Sequence, residues 1–218
     1  MKKSDREQIF EIYSKLLGFS WWDRFYFNVK YRKGNAMNLA EKFIPKHGLI
    51  IDVGCGTGLF DHLLVLKSSK RHVIGVDLDK KRVDIAKRTA RNYKNLEFYV
   101  KDIRDLKLKK CDCIILYDVL HHINHKTQLN ILRQCYEKLG KGGVLLIKDV
   151  NKSFSWKYFR VKILDTITNI SNITEGNLCF KSARQFYAMT AKVGFETKVI
   201  FPRIRDFTPH VILRCVKK

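Results

Sequence analysis

The chain has 218 residues, enough for one domain whose core needs neither disulfides nor a structural metal. Its 43 basic and 21 acidic residues leave a formal charge of +22, which suits an anionic partner (nucleic acid, a membrane surface or an anionic substrate) or merely a solvated, lysine-rich surface. No run approaches the ~20 apolar residues of a membrane-spanning helix, the opening MKKSDREQIF lacks the apolar stretch of a secretion signal, and six cysteines without a C-x-x-C pair read as reduced thiols of a cytoplasmic protein.

Residues 1–46 precede the first strand. Within them GFSWWDRFYFNVKYRKG (18–34) interleaves Trp21, Trp22, Phe25, Tyr26 and Phe27 with Arg24, Lys30, Arg32 and Lys33. From Leu49 onward, short apolar runs alternate with helical patterns. The spacing predicts strands at 49–53, 72–77, 96–100, 111–117 and 142–150, and helices at 59–67, 80–92 and 125–139, the last ended by Gly140. A helix at 182–193 stopped by Gly194 follows, then strands at 195–201 and 210–216. Such alternation argues for a Rossmann-like α/β fold, a mostly parallel seven-stranded sheet covered on both faces. Only eight residues join the last two strands, too few for a parallel crossover, so they pair antiparallel.

The segment 151–181 stands outside this pattern. Over 152–170 a helical projection places Trp156, Phe159, Ile163, Ile167 and Ile170 within about a quarter of the circumference, flanked by Lys157 and Lys162. Aromatic residues beside basic ones suit a bilayer interface, a lid over a greasy ligand, stacking on nucleic acid, or plain core packing.

The stretch IDVGCGTG (51–58) follows the first strand and opens the first of these helices. Glycine lets a ligand approach the backbone, and the helix N-terminus presents unpaired N–H groups. The dinucleotide fingerprint G-x-G-x-x-G fails, because its last position is Leu59. The phosphate-cradling Gly-Lys-Ser/Thr ending is missing as well.

What remains resembles the class I S-adenosylmethionine-dependent methyltransferases. The likeness rests on IDVGCGTG, GVDLD (75–79), VKDIRDL (100–106), YDVLHHI (117–123) and LGKGGVLLIKDV (139–150), and covers residues 48–150 well. It implies one methyltransferase domain over 1–218, with 1–46 as an N-terminal helical cap and 151–181 as an insertion over the acceptor site. Gly54, Gly56 and Gly58 would press against the amino-acid and ribose parts of S-adenosylmethionine. Asp77 would accept from the ribose hydroxyls and Leu78 would pack on adenine. Asp102 and the Ile103 N–H would meet the adenine edge, and Asp52 with the backbone near Tyr117 would meet the ammonium. Asp79 reads as a helix N-cap.

Methyl transfer needs alignment and, for an oxygen or thiol acceptor, a base. The end of the fourth strand carries His121 and His122, either of which would serve as that base; His125 follows, but a metal-binding reading of the three is weak, so no metal site is expected. Cys111 and Cys113 share one face of a strand and read as packing. Because Asp118-Val119-Leu120-His121 lacks the Asn/Asp-Pro-Pro-aromatic motif of adenine-amino methylation, the resemblance is to the branch acting on small molecules and lipids, including quinone precursors. The expected partner is a small or lipid-like acceptor, with peripheral membrane contact through 18–34 and 152–170. An RNA methyltransferase and a non-catalytic S-adenosylmethionine-binding protein are the alternatives.

Overall fold

The computed structural model describes residues 4–17, 34–103, 110–152, 178–202 and 209–218. The aromatic-basic segments 18–33 and 153–177, and the tail of the VKDIRDL turn from Arg104, lie outside the described residues.

Two helices precede the sheet, α1 (Asp5–Leu17) and α2 (Gly34–Glu41). Ser4 opens α1 with a capping exchange: its N–H donates to Glu7 Oε2 (2.7 Å) and its Oγ accepts from Glu7 N–H (3.3 Å). Then come β1 (Gly48–Val53), α3 (Leu59–Lys67), β2 (Arg71–Asp77), α4 (Lys80–Thr89), β3 (Leu96–Val100) and β4 (Cys111–Tyr117). A 3₁₀ turn (Leu120–His122), α5 (His125–Lys138), β5 (Leu139–Val150), α6 (Ala183–Val193), β6 (Phe195–Ile200) and β7 (His210–Lys217) follow.

The seven strands run in the order β3-β2-β1-β4-β5-β7-β6. Pairings among β1 to β5 are parallel, and β7 lies antiparallel between β5 and β6. The expected antiparallel pair is therefore present, but β6 is the edge and β7 is inside. The strand order reverses between β1 and β4, so the crevice at their carboxyl ends is where an open α/β sheet takes its ligand.

Strand alternation divides the core between the two faces. Ile50, Val73, Cys113 and Ile115 pack with Leu63, Leu64, Val83, Ala86, with Ile9 and Tyr13 of α1 and with Met37 and Ala40 of α2. Ile51, Val53, Ile114 and Leu116 pack on the opposite side with Leu132 of α5 and Phe186 of α6. Cys111 and Cys113 are buried while Asp112 between them is exposed, so both thiols are packing groups.

Arg71 fixes α2 to the sheet. Its buried guanidinium donates to the carbonyls of Pro45 (2.7 Å), Leu64 (2.8 Å) and Ile44 (3.2 Å), and pairs with Glu41 at 2.9 Å. Removing one partner of such a buried pair costs about 3–5 kcal/mol.

Helix ends follow sequence signals in most places. Asp79 caps α4 by accepting from Lys81 N–H (2.9 Å) and Arg82 N–H (3.3 Å). Ser182 and Gln185 form a capping box on α6, and Gly194 closes that helix at φ 110°. The end of α5 differs from expectation. Leu139, not Gly140, leaves the helix, in an extended conformation (φ −75°, ψ 137°), and β5 begins at once. Lys217 Nζ donates to the carbonyls of Tyr136 (2.7 Å) and Leu139 (2.8 Å), so a side chain from β7 satisfies a helix end that glycine was expected to turn. Helix α4 also stops at Thr89, short of Asn92.

Candidate functional site

The glycine loop turns between β1 and α3. Gly54 N–H and Cys55 N–H both donate to Val76 O of β2, at 2.7 and 3.1 Å, which pins the loop to the neighbouring strand. Gly54 (φ 85°) and Gly58 (φ 80°) occupy the left-handed region and have no room for a Cβ. It would lie 2.3 Å from Val119 Cγ2 at the first and 2.5 Å from Phe98 Cζ at the second. Gly56, at φ 57°, faces open space with nothing within 4 Å of a Cβ.

Behind that opening lies a cavity of about 180 Å³, lined by Asp52, the loop residues 54–57, Leu59 and Phe60. Met37 of α2, Arg82 of α4, and Tyr117, Asp118 and Lys148 at the ends of β4 and β5 complete it. Asp77 joins the loop from β2: its Oδ2 accepts from Gly56 N–H (2.8 Å) and its Oδ1 from Asp79 N–H (2.9 Å). The carboxylate at the tip of β2 thus shapes the turn before any ligand does.

Asp52 is buried, and its Oδ1 has no hydrogen-bond partner among the described residues. Asp61, in the first turn of α3, is buried completely, and neither of its oxygens has a donor. Burial pushes the Asp52 carboxyl up to about 7; the neighbouring Asp61 carboxyl offsets this in part by hydrogen bonding, and Asp77 adds to it. Burial and then the Asp52 charge push Asp61 well above the ordinary carboxylate range. A helix N-terminus favours an anion by about 0.3–2 kcal/mol, while burying an unpaired ion costs several kcal/mol. The second effect wins, so burial favours the protonated form of Asp61. Its position in the first turn of a helix offers no warning of this in the sequence.

Acid–base pairs crowd the other wall. Lys148, buried on β5, donates to both carboxylate oxygens of Asp118, at 2.7 and 2.6 Å, and its Nζ lies 4.6 Å from the Tyr117 ring centroid. Asp118 has φ 57°, a conformation uncommon outside glycine. Burial works to raise its pKa, but the Lys148 ammonium, with His210 and His121, holds it well below the usual range.

One residue further along β5, Asp149 accepts at Oδ1 from His121 Nδ1 at 2.5 Å, and at Oδ2 from His121 N–H at 3.2 Å. The His121 ring is buried and stacks on Phe180, with centroids 5.1 Å apart and planes 9° apart. Gln128 Nε2 donates to the Leu120 (2.8 Å) and Ile123 (3.0 Å) carbonyls, which fixes the turn that carries His121. His122 is half-buried, with Nδ1 unpartnered among the described residues. Burial and then His121 push it down to about 4, so it is neutral at pH 7 and a weak base.

The structure brings Asp52, Gly54, Gly56 and Tyr117 to one cavity, and Asp77 to its rim through Gly56. Gly58 starts α3 just behind the loop. Leu78 is exposed beyond the tip of β2, and Asp102 and Ile103 follow β3; none of the three lines the cavity. His121 and His122 lie beyond the lining as well. The Asp118–Lys148 pair, Asp149, Asp61 and Arg82 were not singled out as site residues. Two charged residues inside the buried run LLIKDV were the available signal, because a charge in such a strand needs a partner.

Comparison with known proteins decides the family. A family model described as a methyltransferase domain matches residues 25–198. The chain belongs to that family. The cofactor of the family is S-adenosylmethionine, and the residues present fit it: an unpartnered buried carboxyl oxygen suits its ammonium, and the loop lacks a phosphate motif.

Among relatives, malonyl-[acyl-carrier protein] O-methyltransferase of Bacillus cereus is 31% identical over 129 residues, covering 57% of this chain and 46% of its own length. Ubiquinone biosynthesis O-methyltransferase of Coxiella burnetii is 25% identical over 124 residues, covering 56% of this chain and 51% of its own. The chain therefore spans about half the length of these relatives. An O-methyltransferase family 2 protein of Planctomyces limnophilus, solved with apigenin, shares the fold at TM-score 0.67 and 17% identity, over 88% of this chain and 61% of that one.

Proposed function

We propose that this chain transfers the methyl group of S-adenosylmethionine to an oxygen of a small, apolar or lipid-linked acceptor, with His121 as the base. One observation carries the reading: the buried His121–Asp149 pair at the carboxyl ends of β4 and β5, beside the glycine-loop cavity. Names of relatives that methylate oxygen on a carrier-bound or quinone-type acceptor support the acceptor class.

The cofactor, when bound, supplies an electrophilic methyl group with a neutral thioether as leaving group. The chain's own residues do the rest. Asp52 Oδ1 and the backbone near Tyr117 hold an ammonium; Asp77 accepts from ribose hydroxyls once they compete with its backbone donors. Leu78, Asp102 and Ile103 hold the adenine end. An Nδ1–H donated to Asp149 fixes the His121 tautomer whose Nε2 accepts a proton, and the same carboxylate stabilises the imidazolium that forms. His122, pushed down to about 4, is the poorer base of the two. Residues 1–46 act as a cap and 151–181 as an insertion over the acceptor, excluding water; membrane contact through 18–34 and 152–170 belongs to the same proposal.

The test is incubation with methyl-labelled S-adenosylmethionine and separate pools of phenols, prenylated quinone precursors, acyl-carrier thioesters and RNA. Alkali-stable label on a phenolic or prenylated acceptor supports the reading. Label in RNA alone, favoured by the +22 charge, overturns it.

A further inference from the structure

Below the glycine loop, Asp52 at the tip of β1 and Asp61 in the first turn of α3 are both buried, and their carboxyl groups lie within reach of each other. Three of their four oxygens find no donor among the described residues. Two carboxylates repel; two carboxyl groups in contact bond only if one carries a proton. Among the described residues, those that surround them offer no counter-charge. Asp77 stands on β2, Cys55 in the loop, Cys113 on β4 and Tyr13 on α1, all neutral or acidic.

The nearby basic groups are engaged elsewhere. Lys148 is held by both oxygens of Asp118, and Arg82 pairs with Asp79 at 3.3 Å. His62 directs Nδ1 at Gly58 O (2.8 Å) and Nε2 at Thr89 O (3.2 Å). Burial favours its neutral form. Arg71 is paired with Glu41 at 2.9 Å. Among the described residues, Asp52 lines the cavity and Asp61 does not.

We propose that Asp52 and Asp61 form a proton-holding pair, in which Asp61 stays protonated and donates to Asp52, and in which a proton on Asp52 is exchanged for the ammonium of the incoming methyl donor. The inference rests on the reading of the cavity as the S-adenosylmethionine site. The balance is simple: one –NH₃⁺ enters, one H⁺ leaves Asp52 for solvent, and no covalent bond to carbon forms or breaks. The charge below the loop is the same before and after. Asp61 touches no ligand; it is a positioning residue that orients Asp52 and lowers its proton affinity by hydrogen bonding.

Linkage fixes the sign. A proton competing with the ligand weakens binding as pH falls, by about tenfold in Kd per pH unit once Asp52 is mostly protonated. Between pH 7.0 and 5.5 the Kd of S-adenosylmethionine should rise about ten- to twentyfold. Its own α-amino group, with an ordinary value of about 7.7–8.0, stays charged throughout that window.

Isothermal titration calorimetry of the full chain with S-adenosylmethionine, in buffers of differing ionisation enthalpy, reads the exchange. Release of up to about one proton near pH 6, with the rise in Kd, is the expected result. Asp61→Leu should raise Kd about tenfold at pH 7 and shift the break to higher pH, and Asp61→Asn, whose amide still donates, should restore most of the affinity. A flat Kd with no proton released, or equal loss in both variants, overturns the exchange while leaving the donor site in place.

A native protein that takes up no S-adenosylmethionine overturns the donor reading and with it the exchange. The pair is still decided by infrared spectra of the ligand-free protein. At about pH 8, where Asp52 is mostly ionised, a protonated-carboxyl band that disappears in Asp61→Asn supports a proton-holding pair; its absence from the native spectrum at that pH overturns it.

Discussion

Around the glycine loop, Asp52, Asp61 and Asp77 gather three carboxyls without an ion-pair partner among the described residues, so that wall awaits a cation. Across the cavity, at the ends of β4 and β5, Asp118 already holds Lys148, and beyond the lining Asp149 already holds His121. The first wall is unfinished until a ligand arrives, and the second is finished in advance. Recognition of a charged donor uses the first arrangement, since an internal partner would have to be displaced. The proton transfer proposed for His121 would use the second, since a base works best when its orientation is fixed beforehand.

The largest effect expected from breaking this division is on the preorganised wall. His121→Gln should lower kcat about 10²–10⁴-fold on whatever acceptor is found, while donor affinity measured by calorimetry stays within about twofold. A matching loss of donor affinity would place His121 on the wrong side of the division.

The glycine loop sharpens the contrast next. Gly58→Ala forces a Cβ to 2.5 Å from Phe98 Cζ at φ 80° and should cost about 2–5 kcal/mol in denaturant unfolding. Gly56→Ala meets no atom within 4 Å, so its cost should be about 1–2 kcal/mol, from the positive φ alone. The second variant should nonetheless lose donor affinity, because its methyl enters the cavity. Equal stabilities for the two would contradict the packing described around the loop.

Lys148→Met tests the closed pair. Asp118 has its folded pKa held below the ordinary 3.8, so its contribution to stability is present above that value and is lost as pH falls further. Its carboxylate is 39% exposed, and solvent screening limits the contribution to about 1–2 kcal/mol. The variant should be less stable by that amount at pH 7, and the difference should start to close only below the ordinary 3.8 and vanish as pH passes the depressed folded value of Asp118, as followed by urea titration across pH.

The smallest effect belongs to His122. Its folded value of about 4 lies below the ordinary 6.5, so its neutral form supports the fold above pH 6.5 and that support fades as pH falls towards 4. His122→Leu should flatten the stability profile in that window by about 1 kcal/mol. An unchanged slope would show that the ring is better solvated than its surroundings imply.

Much of this was legible in the residues. Short continuous apolar runs and period-3.6 patterns located all seven strands and the helices between them, because the sheet is buried on both faces. Asp79, Ser182 and Gly194 announced helix ends through local chemistry that needs no distant partner. Where the partner was distant, the sequence was silent. Lys217 capping α5 spans 78 residues to Leu139, and no local rule anticipates it. Asp61 reads as an ordinary acid in the first turn of a helix until burial and Asp52 are placed beside it. His121 and His122 look alike in the chain. Asp149, 28 residues on, is what distinguishes them.

The inside position of β7 has a consequence for how the molecule is made. During vectorial synthesis β6 emerges before the strand that must separate it from β5. Until His210–Lys217 slots in, the ribosome-bound intermediate carries a bare β5 margin. That is an invitation to mispairing which the nascent chain must outrun or have a chaperone cover.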